Sequence, residues 1–300
     1  MSKIVDWLSD GQYRNEHRIR TEAHLTGTGD WLFHREEFKA WESSHESKIF
    51  WLHGQGNHTS DLIHSWLTIL QLEQERVSFC KQYRSFVLPV EKLTKNRSSV
   101  IEYLRKGGFS GLHTQPVAYF YCTRAAAYRE RADPANITRN ILEQLSWGAG
   151  SAMDDQIIKL YREKKEGKPR EPQKLTLDEA TDLIISLLER SPAIIVIDAL
   201  DECDSSKRQD LILALQTLVT KSKTAVKIFV SSRDDYDILS QLRDEANVSI
   251  ESADNKTDIE NFVSFQVNKA IEERRLLCGS VKDNLKNHVI KTLIEKADGM

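Results

Sequence analysis

Ala193-Ile194-Ile195-Val196-Ile197-Asp198 follows a helix-stopping proline, Pro192, and runs through an uninterrupted apolar, mostly β-branched stretch into the acids Asp198, Asp201, Glu202 and Asp204. Such a run has no polar face, so it folds as a strand covered on both sides, as in a parallel sheet between helix layers. It delivers carboxylates at its C-terminal end, where open α/β sheets bind ligands. The plainer possibility is a buried strand followed by an exposed acidic turn.

The rest of the chain supplies companions for this strand. Lys48 to Gly54 reads as a first strand, Val117 to Cys122 as a second, Val226 to Val230 as a fourth ending in Ser231-Ser232-Arg233, and Val248 to Ile250 as a short last one. Between them lie helical patterns. One runs from Ser98 to a glycine stop at Gly107, and one from about Ala135 with Ile137, Ile141, Leu142 and Leu145 on one face. The Thr176-Leu177-Asp178-Glu179 capping box opens a third, with Leu177, Ala180, Leu183, Ile184, Leu187 and Leu188 as its face. Leu211, Ile212, Leu215, Leu218 and Val219 mark a fourth. Two more are expected, from Thr257 and from Asp283 to Ala297. The Gly148 to Lys174 stretch looks like an exposed loop with room for a short helix before it, and Phe33, Phe38 and Trp41 suggest a short aromatic-faced helix near the start. Alternating strands and helices predict an α/β fold: a five-stranded parallel sheet with right-handed crossovers, flanked by helices. The expected organisation is an N-terminal helical or loop extension at 1–47, an α/β core at 48–253 with an insertion at about 55–97, and helices at 254–300 that open a helical subdomain.

The D-x-x-D-E spacing of Asp198, Asp201 and Glu202 has the pattern of a Walker B element. In that pattern the first acid holds Mg²⁺ and a later one orients or activates water. A phosphate loop should then follow the first strand as G-x-x-x-x-G-K-[ST]. Counted from Gly54, its Gly, Lys and Ser/Thr positions hold Thr59, Ser60 and Asp61; Gly54 and Gly56 remain. The lysine and the metal-ligating hydroxyl are therefore missing, and an Asp there repels phosphate. Other chemistries lack their own signatures. No second Asp stands two residues after Asp198, no G-x-S-x-G occurs, and Gly54-Gln55-Gly56-Asn57-His58-Thr59 lacks the last glycine of a dinucleotide loop.

A net charge of −3 and a pI near 6.3 disfavour electrostatic capture of nucleic acid or anionic membrane. Cys80, Cys122, Cys203 and Cys278 form no C-x-x-C pair, which fits a reducing cytosol better than a disulfide framework or zinc site. The first residues are too polar for a signal peptide, and no apolar run reaches membrane-spanning length.

Several blocks together resemble the NACHT-type NTPase modules of STAND signalling proteins, in the large fungal group close to nephrocystin-like N-terminal domains. They are Gly27-Thr28-Gly29-Asp30-Trp31-Leu32, Trp51-Leu52-His53-Gly54, Ala118 to Cys122, Ile195 to Cys203, Lys227 to Arg233, and Glu295 to Met300. The resemblance implies a P-loop NTPase-like sheet binding Mg²⁺ and ATP or GTP in a cytoplasmic module for signal transduction or non-self recognition. Its partners would be nucleotide and other protein domains or further copies of itself, without nucleic acid or membrane. Asp198 would hold the metal, Asp201 and Glu202 would manage the hydrolytic water, and Arg233 would sense the γ-phosphate. Gly54, Gly56, Thr59 and Ser60 would face the phosphates and Gly29 the base. The family's strand order would set the Arg233 strand between the first strand and the Asp198 strand. In the family the phosphate loop leads at once into the helix that here holds Ser99 to Leu104; in this chain about forty residues intervene. Three readings stay open: a nucleotide-binding switch in which hydrolysis is in doubt, a catalytically dead scaffold module, and a gene product in which non-native sequence has replaced the loop. The family also implies an effector before the module and a winged helix and repeats after it. A chain stopping within a recognisable block is expected of a fragment.

Overall fold

The computed structural model describes residues 2–9, 11–22, 29–54, 98–108, 115–147, 152–166, 172–274 and 282–297. The chain divides into two compact units, one of residues 1–22, 32–54 and 97–249, the other of 23–31, 55–96 and 250–300.

The first unit is built on a sheet of β1 (Lys48–Gly54), β2 (Val117–Tyr121), β3 (Ala193–Asp198), β4 (Val226–Arg233) and β5 (Ala246–Ser249). All pairings are parallel and the order is β2-β3-β4-β1-β5, the expected α/β architecture with β4 between β1 and β3. Every residue of β3 is buried, as its lack of a polar face requires. The register brings strand ends level, pairing Tyr121 with Asp198 and Gly54 with Arg233. Chemistry carried by three strands is thereby gathered along one edge.

Helices of this unit are α1 (Ser2–Leu8), α2 (Gln12–Glu22), α3 (Trp31–His34, its first residue falling in the other unit), α4 (Glu36–Ser43), α5 (Ser98–Arg105), α6 (Pro134–Leu145), α7 (Asp155–Lys165), α8 (Leu177–Leu188), α9 (Arg208–Lys221) and α10 (Tyr236–Leu242). Their starts follow local chemistry. Asp133 accepts the Asn136 N–H at 3.2 Å with Pro134 in the first turn of α6, and the Thr176–Glu179 box closes reciprocally at 3.2 and 2.9 Å on α8. Under α4, Phe38 meets Phe50 edge-on at 5.5 Å, and Phe50 stacks on Phe229 at 5.8 Å. Rings this deeply buried each contribute roughly 1.5–3 kcal/mol by burial.

The short aromatic-faced helix expected near the start is present in α3 and α4, with Phe33, Phe38 and Trp41 buried, but the docked helices α1 and α2 before it were not anticipated. Trp7 donates its indole N–H to the Gln173 carbonyl at 2.9 Å, Ser9 donates to Asn140 at 2.6 Å, and Tyr13 donates to Glu143 at 2.5 Å. These bonds fasten α1 and α2 against α6 and its neighbours. The linker-like stretch contains α7, with Ile157 and Tyr161 turned inward. Helix α10 was not anticipated at all, and β5 begins two residues earlier than expected.

In the second unit α11 (Ser252–Glu272) packs on α12 (Asp283–Ala297), with Val263, Val267, Ala270, Val289 and Leu293 buried. Helix α11 starts five residues before the expected Thr257, capped by Glu251 and Asp254, whereas α12 has its expected bounds. Among the described residues no helix is long and apolar enough to cross a membrane.

Candidate functional site

The ends of β3 and β4 carry a compact acidic cluster. Asp198, the last residue of β3, is almost fully buried. Ser231 of β4 donates its hydroxyl to Asp198 Oδ1 at 2.5 Å and accepts the Ala199 N–H at 3.2 Å. The second bond fixes Ala199 in the left-handed region, φ 57° and ψ 51°, a conformation that costs a residue with a Cβ roughly 1–2 kcal/mol. The chain therefore turns sharply out of the strand into one 3₁₀ turn, Leu200–Glu202. That turn explains the D-x-x-D spacing: it points Asp201 back at β4, where Oδ1 accepts the Arg233 N–H at 3.1 Å and Oδ2 stands 3.5 Å from Arg233 Nε.

Glu202 faces outward and accepts the Arg124 N–H at 3.2 Å. The carbonyl of Asp201 is held from below by Arg208 Nη1 at 2.7 Å and by the Arg124 guanidinium. Arg208 is in turn pinned by Asp237 at 2.6 and 2.8 Å. The acidic turn is thus a fastened structure rather than a solvated loop.

On the β1 side, Trp51 donates to the Ser232 hydroxyl at 2.8 Å. His53 stacks on Trp51 at 3.9 Å, and its Nδ1 lies 2.6 Å from Asp234. Gly54 stands beside Arg233 in register. Gly56, Thr59 and Ser60 lie outside the described residues. Gly29 belongs to the second unit; its φ is 85°, and its N–H donates to Asp258 of α11 at 2.7 Å.

A cation from a distant part of the chain joins the Asp198 environment. Arg20, in the last turn of α2, places Nη1 3.1 Å from Asp198 Oδ2 and lays its guanidinium over the Tyr121 ring at 4.3 Å. Its Nε donates to Glu16 at 2.7 Å, and the other Glu16 oxygen lies 3.3 Å from Arg131 Nη1. Arg131 donates to the Tyr121 carbonyl at 2.9 Å. Burial works against the Arg20 charge, but Asp198 and then Glu16 outweigh it and raise its pKa. Burial likewise opposes ionisation of Glu16, yet Arg20 and Arg131 hold its carboxyl below the usual glutamate value. The nearby thiols stay protonated: burial lifts Cys122 well above its ordinary value and pushes Cys203 up to about 12.

These contacts bear on the metal that a Walker B acid implies. Both Asp198 oxygens are engaged, one by a hydroxyl donor and one by a guanidinium, and among the described residues no group of three or more His, Cys, Asp or Glu is arranged to hold a metal ion. As arranged, the residues do not fit Mg²⁺, which demands an octahedral oxygen shell at about 2.0–2.1 Å.

Sequence reasoning singled out Asp198, Asp201, Glu202 and Arg233, and the structure brings all four to the β3 and β4 ends. It missed Arg20, Glu16, Arg124, Arg131, Arg208 and the role of Ser231. The one local signal was the i, i+4 spacing of Glu16 and Arg20 on a polar helix.

A family model described as "Nephrocystin 3, N-terminal" matches residues 94–233, slightly under half of the chain. The match spans α5 through β4 and ends on Arg233, so it contains the acidic cluster but neither α2 nor β1. No curated protein matches the chain.

Proposed function

We propose that the first unit is a nucleotide-binding module of the STAND/NACHT type, a signalling switch for ATP or GTP in which hydrolysis is secondary. The observation that carries this reading is the strand order β2-β3-β4-β1-β5 combined with the level strand ends. Together they set Gly54, Asp198, Asp201 and Arg233 along the carboxyl edge where such sheets take ligands. The likeness to the nephrocystin-3 N-terminal model over β2, β3 and β4 supports it.

Roles follow from the contacts. The exposed Arg233 guanidinium, steered by Asp201, is suited to meet a terminal phosphate. Asp201 is suited to orient a water and Glu202 to assist it at the rim. Because the defining phosphate-loop Lys and Ser/Thr are absent from their positions after Gly54, binding is expected to be weak and turnover slow. Such a module would act in the cytoplasm, joined to other protein domains or to further copies of itself.

One observation favours a second reading, a scaffold that keeps the fold without the ligand: Asp198 is already neutralised by Arg20. Calorimetric titration of the purified chain with ATP and GTP separates the two. The switch reading expects saturable binding that weakens on Arg233→Ala; absence of binding to either nucleotide would leave the scaffold.

A further inference from the structure

We infer that Arg20 is the resident cation of the Asp198 carboxylate, so that docked α2 and a divalent cation exclude each other at this acid. The inference deepens the reading above and rests on it in taking Asp198 as an acid of the nucleotide-binding edge.

The pair is built into the fold. The Arg20 side chain is 16% exposed and that of Asp198 2%, so both charges have been taken out of water. Such pairs persist only where geometry is imposed and the remaining polar atoms find partners. Here Glu16 holds Arg20 Nε, the Tyr121 ring lies under the guanidinium, and Arg131 holds Glu16 from the far side while anchored to the backbone of β2. The charges alternate Arg131, Glu16, Arg20, Asp198, a series that reaches the strand-terminal carboxylate. Unlike a flexible surface lysine, a planar guanidinium seated on a ring is a fixed group.

The chemistry then forces a choice. A guanidinium nitrogen 3.1 Å from Oδ2 stands inside the volume that a metal and its water shell would need, and two cations on one carboxylate oxygen repel each other. A metal gains Asp198 only when Arg20 leaves, and Arg20 leaves with the last turn of α2. The acid lies within the segment that resembles nephrocystin-3 N-terminal domains, whereas its blocking cation lies outside it. Release of the N-terminal helix would therefore remove the guanidinium that competes with a divalent cation for Asp198.

The test uses Mn²⁺ alone, without nucleotide, followed by electron paramagnetic resonance on the full chain. Arg20→Gln is expected to acquire a saturable Mn²⁺ site at least about tenfold tighter than any in the parent chain. That site should vanish in the Arg20→Gln, Asp198→Asn double variant. Equal Mn²⁺ binding by parent and Arg20→Gln, whether present or absent, overturns the inference. If Arg20→Gln does not fold, hydrogen exchange of α2 in Asp198→Asn replaces it: exchange accelerated severalfold over residues 12–22 supports the latch, and unchanged exchange overturns it. Failure of nucleotide to bind would remove the switch reading while leaving the Mn²⁺ result to stand or fall by itself.

Discussion

Ser231 donates to Asp198 across two neighbouring parallel strands at 2.5 Å, and the same oxygen receives the N–H of the residue after Asp198. One hydroxyl thus restrains a buried carboxylate and the left-handed turn that follows it. Ser231→Ala removes both restraints at once. Hydrogen bonds to charged groups contribute about 1.5–3 kcal/mol, so the variant is expected to lose that much in urea denaturation, while Ser231→Thr recovers part of it.

Ala199 offers the opposite experiment, because its φ of 57° penalises a Cβ. Glycine adopts this conformation freely at the cost of greater freedom in the unfolded chain, roughly 0.5–1 kcal/mol. Ala199→Gly is expected to stabilise by about 0.5–1 kcal/mol, and Ala199→Val to destabilise by more than that. Equilibrium denaturation of the two variants checks the ordering.

Lys227 sits in β4, buried, with its ammonium donating to the Trp41 carbonyl at 2.6 Å near the end of α4. Burial, then the charge of Lys48, depresses its pKa to about 8 against the pull of Glu46 and Glu42. The folded protein therefore gives up this proton near pH 8 while the unfolded chain keeps it to about 10.4. Between those values the unfolded state holds more protons, so this group's contribution to stability rises with pH. Denaturation midpoints from pH 7 to 10.5 should rise in the parent relative to Lys227→Met, and parallel curves would contradict the assignment.

Glu16 predicts a slope at the acid end. Its folded carboxyl lies below the ordinary value of 4.5, because Arg20 and Arg131 overcome the burial penalty. The associated stability is present above that value and disappears as pH falls through the lower folded one. Glu16→Gln should be less stable than the parent at neutral pH, and the gap should narrow as pH falls below the ordinary glutamate value.

The sheet was legible because its strands have no competing pattern. The β3 run is apolar up to Asp198, β2 is an unbroken apolar and aromatic run, and β1 stops at Gly54. Helix α2 was not legible, since Gln12–Glu22 is mostly polar and its buried residues Tyr13 and His17, four apart, are too sparse for an apolar stripe. Helix α7 was hidden in the same way, by the lone inward pair Ile157 and Tyr161. The acids of the site could be read because a strand end and a three-residue spacing place them locally. The cation on Asp198 could not, because Arg20 stands 178 residues away and only the folded chain makes them neighbours. The stretch between Gly54 and α5, where the phosphate loop was sought, lies outside the described residues.

Trp51 is 1% exposed, bonded to Ser232 one residue before Arg233, with the imidazole of His53 flat against it. The molecule therefore carries its own optical gauge at the β1 and β4 ends. Events that disturb the Ser232 hydroxyl or move the His53 ring should alter the emission of this indole, and a Trp51→Phe difference spectrum would isolate its signal from the other tryptophans.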